Sequence, residues 1–226
     1  VAKNIGGQHI VSAGPNAMDA PLTYINPIMV KSVAVYRGIA PVSAGIDTLG
    51  GAIKVNLKQA EVDTRAPLGG DLALSYSDIN DASTFAGDLN ISNENTGVLL
   101  YLTDQQGDDY QDGDGNTISS TQYNKQQYGA DLRHQQDGWE IGLTWHHAET
   151  DDSGTPALPM DIDYIESDRY SLDGKLSLND WQLSWQLGYQ DAIHGMDNFS
   201  QRVSMNTSMY RYNTTDAKTR NYKFLL

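Results

Sequence analysis

Three methionines in this chain are each followed directly by an aspartate. They are Met18, Met160 and Met196, three of the six methionines present, and His194 stands two residues before Met196. None of the three falls on a regular apolar face, which is unusual for methionine. Thioether sulfur and imidazole nitrogen suit copper, Cu(I) in particular, whereas a neighbouring carboxylate suits Cu(II) or adds charge. The pattern predicts a metal site with Met18, Met160, His194 and Met196 as ligands.

Neighbouring polar side chains complete the predicted binding set. The aspartates are Asp19, Asp161 and Asp197, and His146 lies near the end of a predicted strand. Adjacent strand residues point to opposite faces, so only one of His146 and His147 can be a ligand, and the strand phase favours His146. A plain structural alternative stays open, in which methionines fill gaps in loop packing and aspartates cap turns.

The sequence gives little support for a calcium site, a catalytic site or a cofactor site. Asp112, Asp114 and Asn116 alternate as calcium ligands would, but Tyr123 stands where the motif requires Glu, and no flanking helices are predicted. This segment is therefore interpreted as a solvated acidic loop. Because no Ser-His-Asp, nucleotide-binding or paired-carboxylate motif stands out, the sequence predicts neither catalysis nor a bound cofactor.

Composition narrows the class of protein. The 226 residues carry a net charge of −14 and have a pI near 4.5, which excludes nucleic acid as a partner. No window approaches the roughly 18 consecutive apolar residues of a transmembrane helix. A transmembrane barrel strand needs only about 9–11 residues with every second one apolar, so low mean hydropathy does not exclude a membrane protein of that kind. The absence of cysteine decides little.

From about residue 71 onward the chain alternates between apolar and polar residues. One such face is Trp139, Ile141, Leu143, Trp145 and His147; a second is Trp181, Leu183, Trp185, Leu187 and Tyr189; a third is Tyr170, Leu172, Gly174, Leu176 and Leu178. A period of two predicts strands with one apolar face. A soluble β-sandwich would alternate in the same way, so the pattern alone leaves both architectures open.

The predicted connections alternate between short and long. The short ones cover 93–96, 135–138 and 179–180, and the long ones cover 104–122, 149–167 and the stretch after Asp191. Short periplasmic turns and long extracellular loops give this alternation in outer-membrane barrels. It places Met160, His194 and Met196 in outer loops.

Three consecutive segments resemble a known family. The segments are Val30–Gly38, Pro41–Gly45 and Gly50–Val55, and together they resemble the closing part of the plug in TonB-dependent outer-membrane receptors. The shared features are a strand ending in Arg-Gly, a small-residue helical turn, a Gly-Gly pair and a final strand leading into a barrel. The chain departs from the pattern at Ile39-Ala40, where the family usually has proline with a small residue.

The resemblance implies an architecture with two parts. Residues 1–66 would be the C-terminal part of an α+β plug domain, and 67–226 would be about the first eight strands of a large antiparallel transmembrane β-barrel. It implies a buried plug–barrel ion pair for Arg37 and a plug-building role for Gly38, Gly50 and Gly51, of which the Gly-Gly pair can adopt positive φ and admit close backbone approach. The chain starts without Met and stops in mid-strand, so truncation at both ends is expected.

A narrower resemblance concerns the metal. The segments 156–161, 194–199 and 16–24 are similar to those of copper-associated receptors in the family. The function implied is energy-coupled import of a metal ion or metal chelate, with copper favoured and siderophore-type cargo kept open. Implied partners are outer-membrane lipid, the TonB protein and the cargo, in the outer membrane of a bacterium. The alternatives are an outer-membrane barrel enzyme and a soluble β-sandwich binding module.

Overall fold

The computed structural model describes residues 2–14, 20–41, 49–63, 65–202 and 206–226, which form two β-sheets. The smaller sheet contains β1 (Ala2–Ile5), β2 (Gln8–His9), β3 (Val30–Tyr36) and β4 (Ala52–Leu57) in the order β2-β1-β4-β3. Strand β1 pairs with β4 in parallel, and the other pairs are antiparallel. The side chains of Ile5 and Val55 are almost fully buried between these strands and the larger sheet.

The larger sheet has eight antiparallel strands, each paired with its neighbours along the chain. They are β5 (Leu68–Ser77), β6 (Ala82–Ser92), β7 (Thr96–Gly107), β8 (Tyr123–Gln136), β9 (Trp139–Ser153), β10 (Asp161–Leu178), β11 (Trp181–Asp197) and β12 (Tyr212–Leu225). This confirms the predicted all-β class and strand number. All eight strands lie in one sheet, which is not the pair of packed sheets that a sandwich requires.

The two faces of the large sheet differ sharply in exposure. On β9, Leu143 is 51% exposed, whereas His146 and Ala148 are buried on the opposite face. Successive strand residues point to opposite sides, so the alternation in the sequence places the apolar side chains outward. The predicted phase, with His146 inward and His147 outward, is confirmed. An exposed apolar band of this kind suits contact with lipid.

All three predicted long loops are wrong in extent, the first because β7 continues to Gly107 and includes residues 104–107. Strand β9 continues to Ser153, β10 begins at Asp161 and β11 runs to Asp197, so 149–153, 161–167 and 191–197 are strand residues. Only 154–160 connects β9 to β10. Backbone pairing continues past the point where the apolar alternation ends, because polar side chains do not prevent ladder hydrogen bonds. Short connections occur where they were predicted, at 93–95, 137–138 and 179–180, although the first two are shorter than the predicted 93–96 and 135–138.

Helical structure is minor in the described part of the chain. It consists of the 3-10 segments Pro21–Tyr24, Pro27–Met29 and Thr207–Met209, with no α-helix among the described residues. Residues 42–45 of the predicted helical turn lie outside the described ranges. Within those ranges, no helix has the length and apolarity needed to cross a membrane.

The glycines and the arginine singled out from the sequence have different surroundings. Gly51 has φ of 98° and a Cβ there would lie 2.7 Å from the Tyr36 carbonyl oxygen, so glycine is needed. Gly38 also has positive φ, but a Cβ at Gly50 would meet nothing within 4 Å, and no positive φ occurs there. Close approach therefore concerns one member of the pair. Arg37 is exposed at the end of edge strand β3, and no ion pair forms with it among the described residues, so the plug–barrel ion pair stays a prediction.

Candidate metal site

The smaller sheet and its connections contact the inner face of the large sheet through specific hydrogen bonds. The side-chain amide of Gln8 donates to the Tyr170 carbonyl at 2.9 Å, and the Ala60 amide donates to Asp131 at 2.7 Å. These contacts bury side chains on the inner face of the large sheet.

His146 is one of these contacts. Its Nε2 lies 2.9 Å from the Tyr24 carbonyl oxygen, which can only accept, so Nε2 carries the proton. Its Nδ1 then accepts from the Tyr101 hydroxyl at 2.7 Å, and the two rings stack. Both ring nitrogens are occupied. In this arrangement His146 holds the segment around Tyr24 against the large sheet. Metal ligation by His146 would require breaking one of these two hydrogen bonds.

His194 and Met196 lie side by side on the inner face of β11. Each is only 2% exposed, and they sit opposite Ile165 and Ile162 of β10. Being two residues apart in one strand, they share a face. The sequence placed them in an outer loop, which is wrong because β11 extends to Asp197. The structure therefore brings one imidazole and one thioether together in a buried position.

The remaining predicted ligands are Met160 and Met18. Met160 is half-buried in the 154–160 connection and directly precedes Asp161, which pairs with Asp197. Met160 and Met196 therefore lie at the same end of the β10–β11 ladder. Met18 and its neighbour Asp19 fall outside the described residues.

The two described aspartates of the Met-Asp pairs already have partners. Asp161, 2% exposed, accepts from Arg202 Nη2 at 2.7 Å, from the Thr155 amide at 2.8 Å and from the Ser120 hydroxyl at 3.3 Å. It thus joins three connections, and its hydrogen bond raises the pKa of Arg202. Asp197 accepts from the amides of two following residues, at 2.9 Å and 2.8 Å. Both carboxylates hold loops in the way the turn-capping alternative describes.

The potential metal ligands near His194 and Met196 are soft donors. In the described ranges, no group of three or more His, Cys, Asp or Glu side chains is arranged to hold a metal ion. A site here would depend on thioethers and a single imidazole, a set that suits Cu(I) better than hard cations. The structure of the acidic loop agrees with its interpretation as a solvated segment. The Asp112 carboxylate accepts hydrogen bonds from the backbone amides of Asp114 and Asn116 in the same loop.

Sequence reasoning missed the buried charges of the inner face. Arg133 donates to Asp131 and to Asp173, each at 3.0 Å, and Thr144 donates to Asp131 at 2.6 Å. Arg169, on β10, is also buried. The available signal was a charged residue on the polar phase of an alternating strand, which here lies on the face covered by the smaller sheet and its connections.

Solved structures similar to this chain share the fold over nearly its whole length. The copper transporter OprC is 25% identical with a TM-score of 0.83, and the match covers 98% of this chain and 34% of that one. The FrpB iron transporter from Neisseria meningitidis is 16% identical, with a TM-score of 0.70 and coverage of 99% and 37%. The hemophore receptor HasR from Serratia marcescens is 20% identical, with a TM-score of 0.71 and coverage of 98% and 38%.

These neighbours are TonB-dependent outer-membrane receptors of Gram-negative bacteria. The resemblance and the outer-membrane location predicted from the sequence are confirmed, and the neighbours are transporters and receptors rather than enzymes, as predicted. The chain spans about a third of the length of each, by the coverage of 34% to 38% above. No protein-family model matches the chain, and no curated protein matches it.

Proposed function

We propose that this chain, which has the fold of the TonB-dependent receptors, is part of a receptor that imports copper. The observation that carries the proposal is the likeness to a copper transporter over 98% of the chain. Its identity of 25% and TM-score of 0.83 exceed those of the iron and hemophore neighbours.

The inner face of β11 supports copper on chemical grounds. His194 and Met196 are buried on one face, and Met160 lies at the same end of the ladder. Thioether and imidazole ligands without a carboxylate cluster select Cu(I) over the hard ions that oxygen ligands prefer. Met18 completes the proposed ligand set from the segment before Tyr24. His146 contributes to the proposed site indirectly, by holding Tyr24 and its neighbours against the large sheet.

The proposed domain division follows the two sheets. Residues 1–66 form the C-terminal part of a plug and 67–226 the first strands of the barrel that surrounds it. The hydrogen bonds from Gln8 and Ala60 to the large sheet support this division, since they hold the small sheet and its connections against the inner face of the large one. In the complete receptor, TonB acts on the plug and releases the cargo inward, while the apolar outer face contacts lipid.

A second cargo class is a metal chelate of the siderophore type. The iron and siderophore neighbours share the fold at 12% to 16% identity, which supports the architecture alone. No feature of the described residues favours a large chelate over a bare soft ion, so copper remains the proposal.

Cu(I) binding by the receptor that contains this chain tests the proposal. The purified receptor in detergent competes with a colorimetric Cu(I) chelator under reducing conditions. We compare the wild type with Met18→Leu/Met160→Leu/Met196→Leu, since leucine keeps the volume and removes the sulfur. The matched control is Met209→Leu, because the Met209 side chain is 60% exposed in a 3-10 turn.

The expected result is tight Cu(I) binding that the triple variant loses and the control retains. Equal binding by all three proteins would remove the methionine site. Absence of binding by the wild type would overturn copper as the cargo and leave the receptor architecture unaffected.

A further inference from the structure

A basic cleft lies between the two sheets of this acidic chain. It has a volume of 390 Å³ and is lined by the β1–β2 turn, strands β3 and β4, and the inner faces of β9 to β12. Six cationic side chains line it: Lys31, Lys54, Lys58, Arg169, Lys175 and Lys223. The single acidic lining residue, Asp173, is engaged by Arg133. The cleft is therefore strongly positive, although the net charge of the whole chain is −14.

Arg169 is the most unusual member of this set. Its side chain is 5% exposed, and its Nη1 is buried without a hydrogen-bond acceptor. Within the part of the chain that the structure describes, no carboxylate pairs with it. The residues directly opposite on the neighbouring strands are His146, which is neutral by its hydrogen bonds, and Gln190. A buried guanidinium without a counterion is costly, so the site calls for an anion.

The lysines divide into two groups. Lys58 is neutralised by Asp71 and Asp88, and Lys175 pairs with Glu140. Lys31, Lys54 and Lys223 all line the cleft, and none of the three forms an ion pair among the described residues. Like charges brought together around a cavity favour a bound anion, because it removes the repulsion while it gains attraction to each cation.

We infer that this cleft is an anion-binding site, for a small oxyanion or carboxylate held by Arg169 and flanked by Lys54 and Lys223. The planar guanidinium presents paired N–H donors that match two oxygens of one anion. The shared ligand chemistry is a pair of oxygens with negative charge, supplied by a free inorganic oxyanion or by the carboxylates of a small organic acid. The inference is independent of the cargo metal and is tested without metal.

Thermal unfolding of the complete receptor in detergent provides the test. Inorganic phosphate, and citrate in a parallel series, replace chloride at constant ionic strength, so that general screening does not change. A ligand that binds only the folded state raises the unfolding midpoint in proportion to the logarithm of its concentration above Kd. The variants are Arg169→Gln and Lys54→Gln, the second being partly exposed and safe for folding. Lys175→Gln is the matched control, since that lysine lines the cleft but is already paired with Glu140.

The expected result is a midpoint that rises with anion concentration in the wild type and in Lys175→Gln. Arg169→Gln abolishes the rise, and Lys54→Gln shifts the half-saturating concentration upward by several fold. A rise with phosphate alone assigns an inorganic oxyanion, and a rise with citrate alone assigns a carboxylate. The inference is overturned if neither anion raises the midpoint, or if both variants respond as the wild type does.

Discussion

His146 illustrates how one residue can satisfy a predicted position and take another role. Its inward phase was predictable from strand alternation, and it is buried as expected. Its two nitrogens, however, are used by Tyr101 and by the backbone at Tyr24. The sequence contains no signal for the second bond, since the two residues are 122 positions apart. The histidine therefore joins the 3-10 segment that ends at Tyr24 to the large sheet.

Replacing the hydroxyl partner tests that role. Tyr101→Phe keeps the ring and leaves His146 Nδ1 buried without its donor, so we expect a loss of about 1–3 kcal/mol in the free energy of unfolding. The measurement is the thermal midpoint of the receptor in detergent. Tyr110→Phe is the control, because Tyr110 is exposed in the 108–122 loop. Equal midpoints for the two variants would show that the Tyr101–His146 bond does not help to hold this segment against the large sheet.

At the scale of elements, strand ends were the least predictable feature. The alternation of Trp139 to His147 correctly located β9, and the two-residue turn at 179–180 was correct to the residue. Beyond His147 the outward positions become polar, as at Glu149 and Asp151, and the pattern no longer distinguishes strand from loop. Backbone pairing continues there nonetheless. His194 and Met196 were misplaced for this reason.

The connections beyond these strand ends are held by a single carboxylate. Asp161 binds Arg202, the Thr155 amide and the Ser120 hydroxyl, which belong to three different connections. Such contacts are invisible in the sequence, because nothing in the spacing of these residues brings them together. The Met-Asp pattern that drew attention to Asp161 concerned a different chemistry.

Removing this charge should loosen the loops. Asp161→Asn weakens hydrogen bonds to a charged group, worth about 1.5–3 kcal/mol, so cleavage by trypsin after Arg202 should accelerate roughly tenfold or more. The measurement is the rate of limited proteolysis in detergent. Asp112→Asn should leave cleavage after Arg202 unchanged, because Asp112 accepts hydrogen bonds only within its own exposed loop. An unchanged rate in Asp161→Asn would show that other contacts hold the loops.

At the scale of the whole molecule, one sheet presents lipid-compatible and protein-binding faces together. Leu143 is 51% exposed and pairs in register with Leu132 and Leu172, which continue the outward apolar band. The inner face carries buried charges such as Arg133 and Asp131. Composition averages these two faces, so mean hydropathy resembles that of a soluble protein. The alternation and the plug-like segments resolved this ambiguity.

A charge on the outer face tests membrane contact. Leu143→Arg should cost about 2–4 kcal/mol if this position lies near the middle of the bilayer. The measurement is the yield of folded receptor in outer membranes, judged by heat-modifiable migration in electrophoresis. The same change in the long loop, Ile118→Arg, should leave the yield unchanged. If the two variants fold equally well, the band does not face lipid.

The most direct test of copper import is metal accumulation in cells that express the complete receptor under copper limitation. Cellular copper and iron are measured by mass spectrometry for the wild type and for His194→Gln/Met196→Leu, in TonB-proficient and TonB-deficient cells. We predict that the wild type raises copper alone, and that both the double variant and the loss of TonB abolish the rise. Accumulation of iron without copper, or copper accumulation unaffected by either change, would contradict the account.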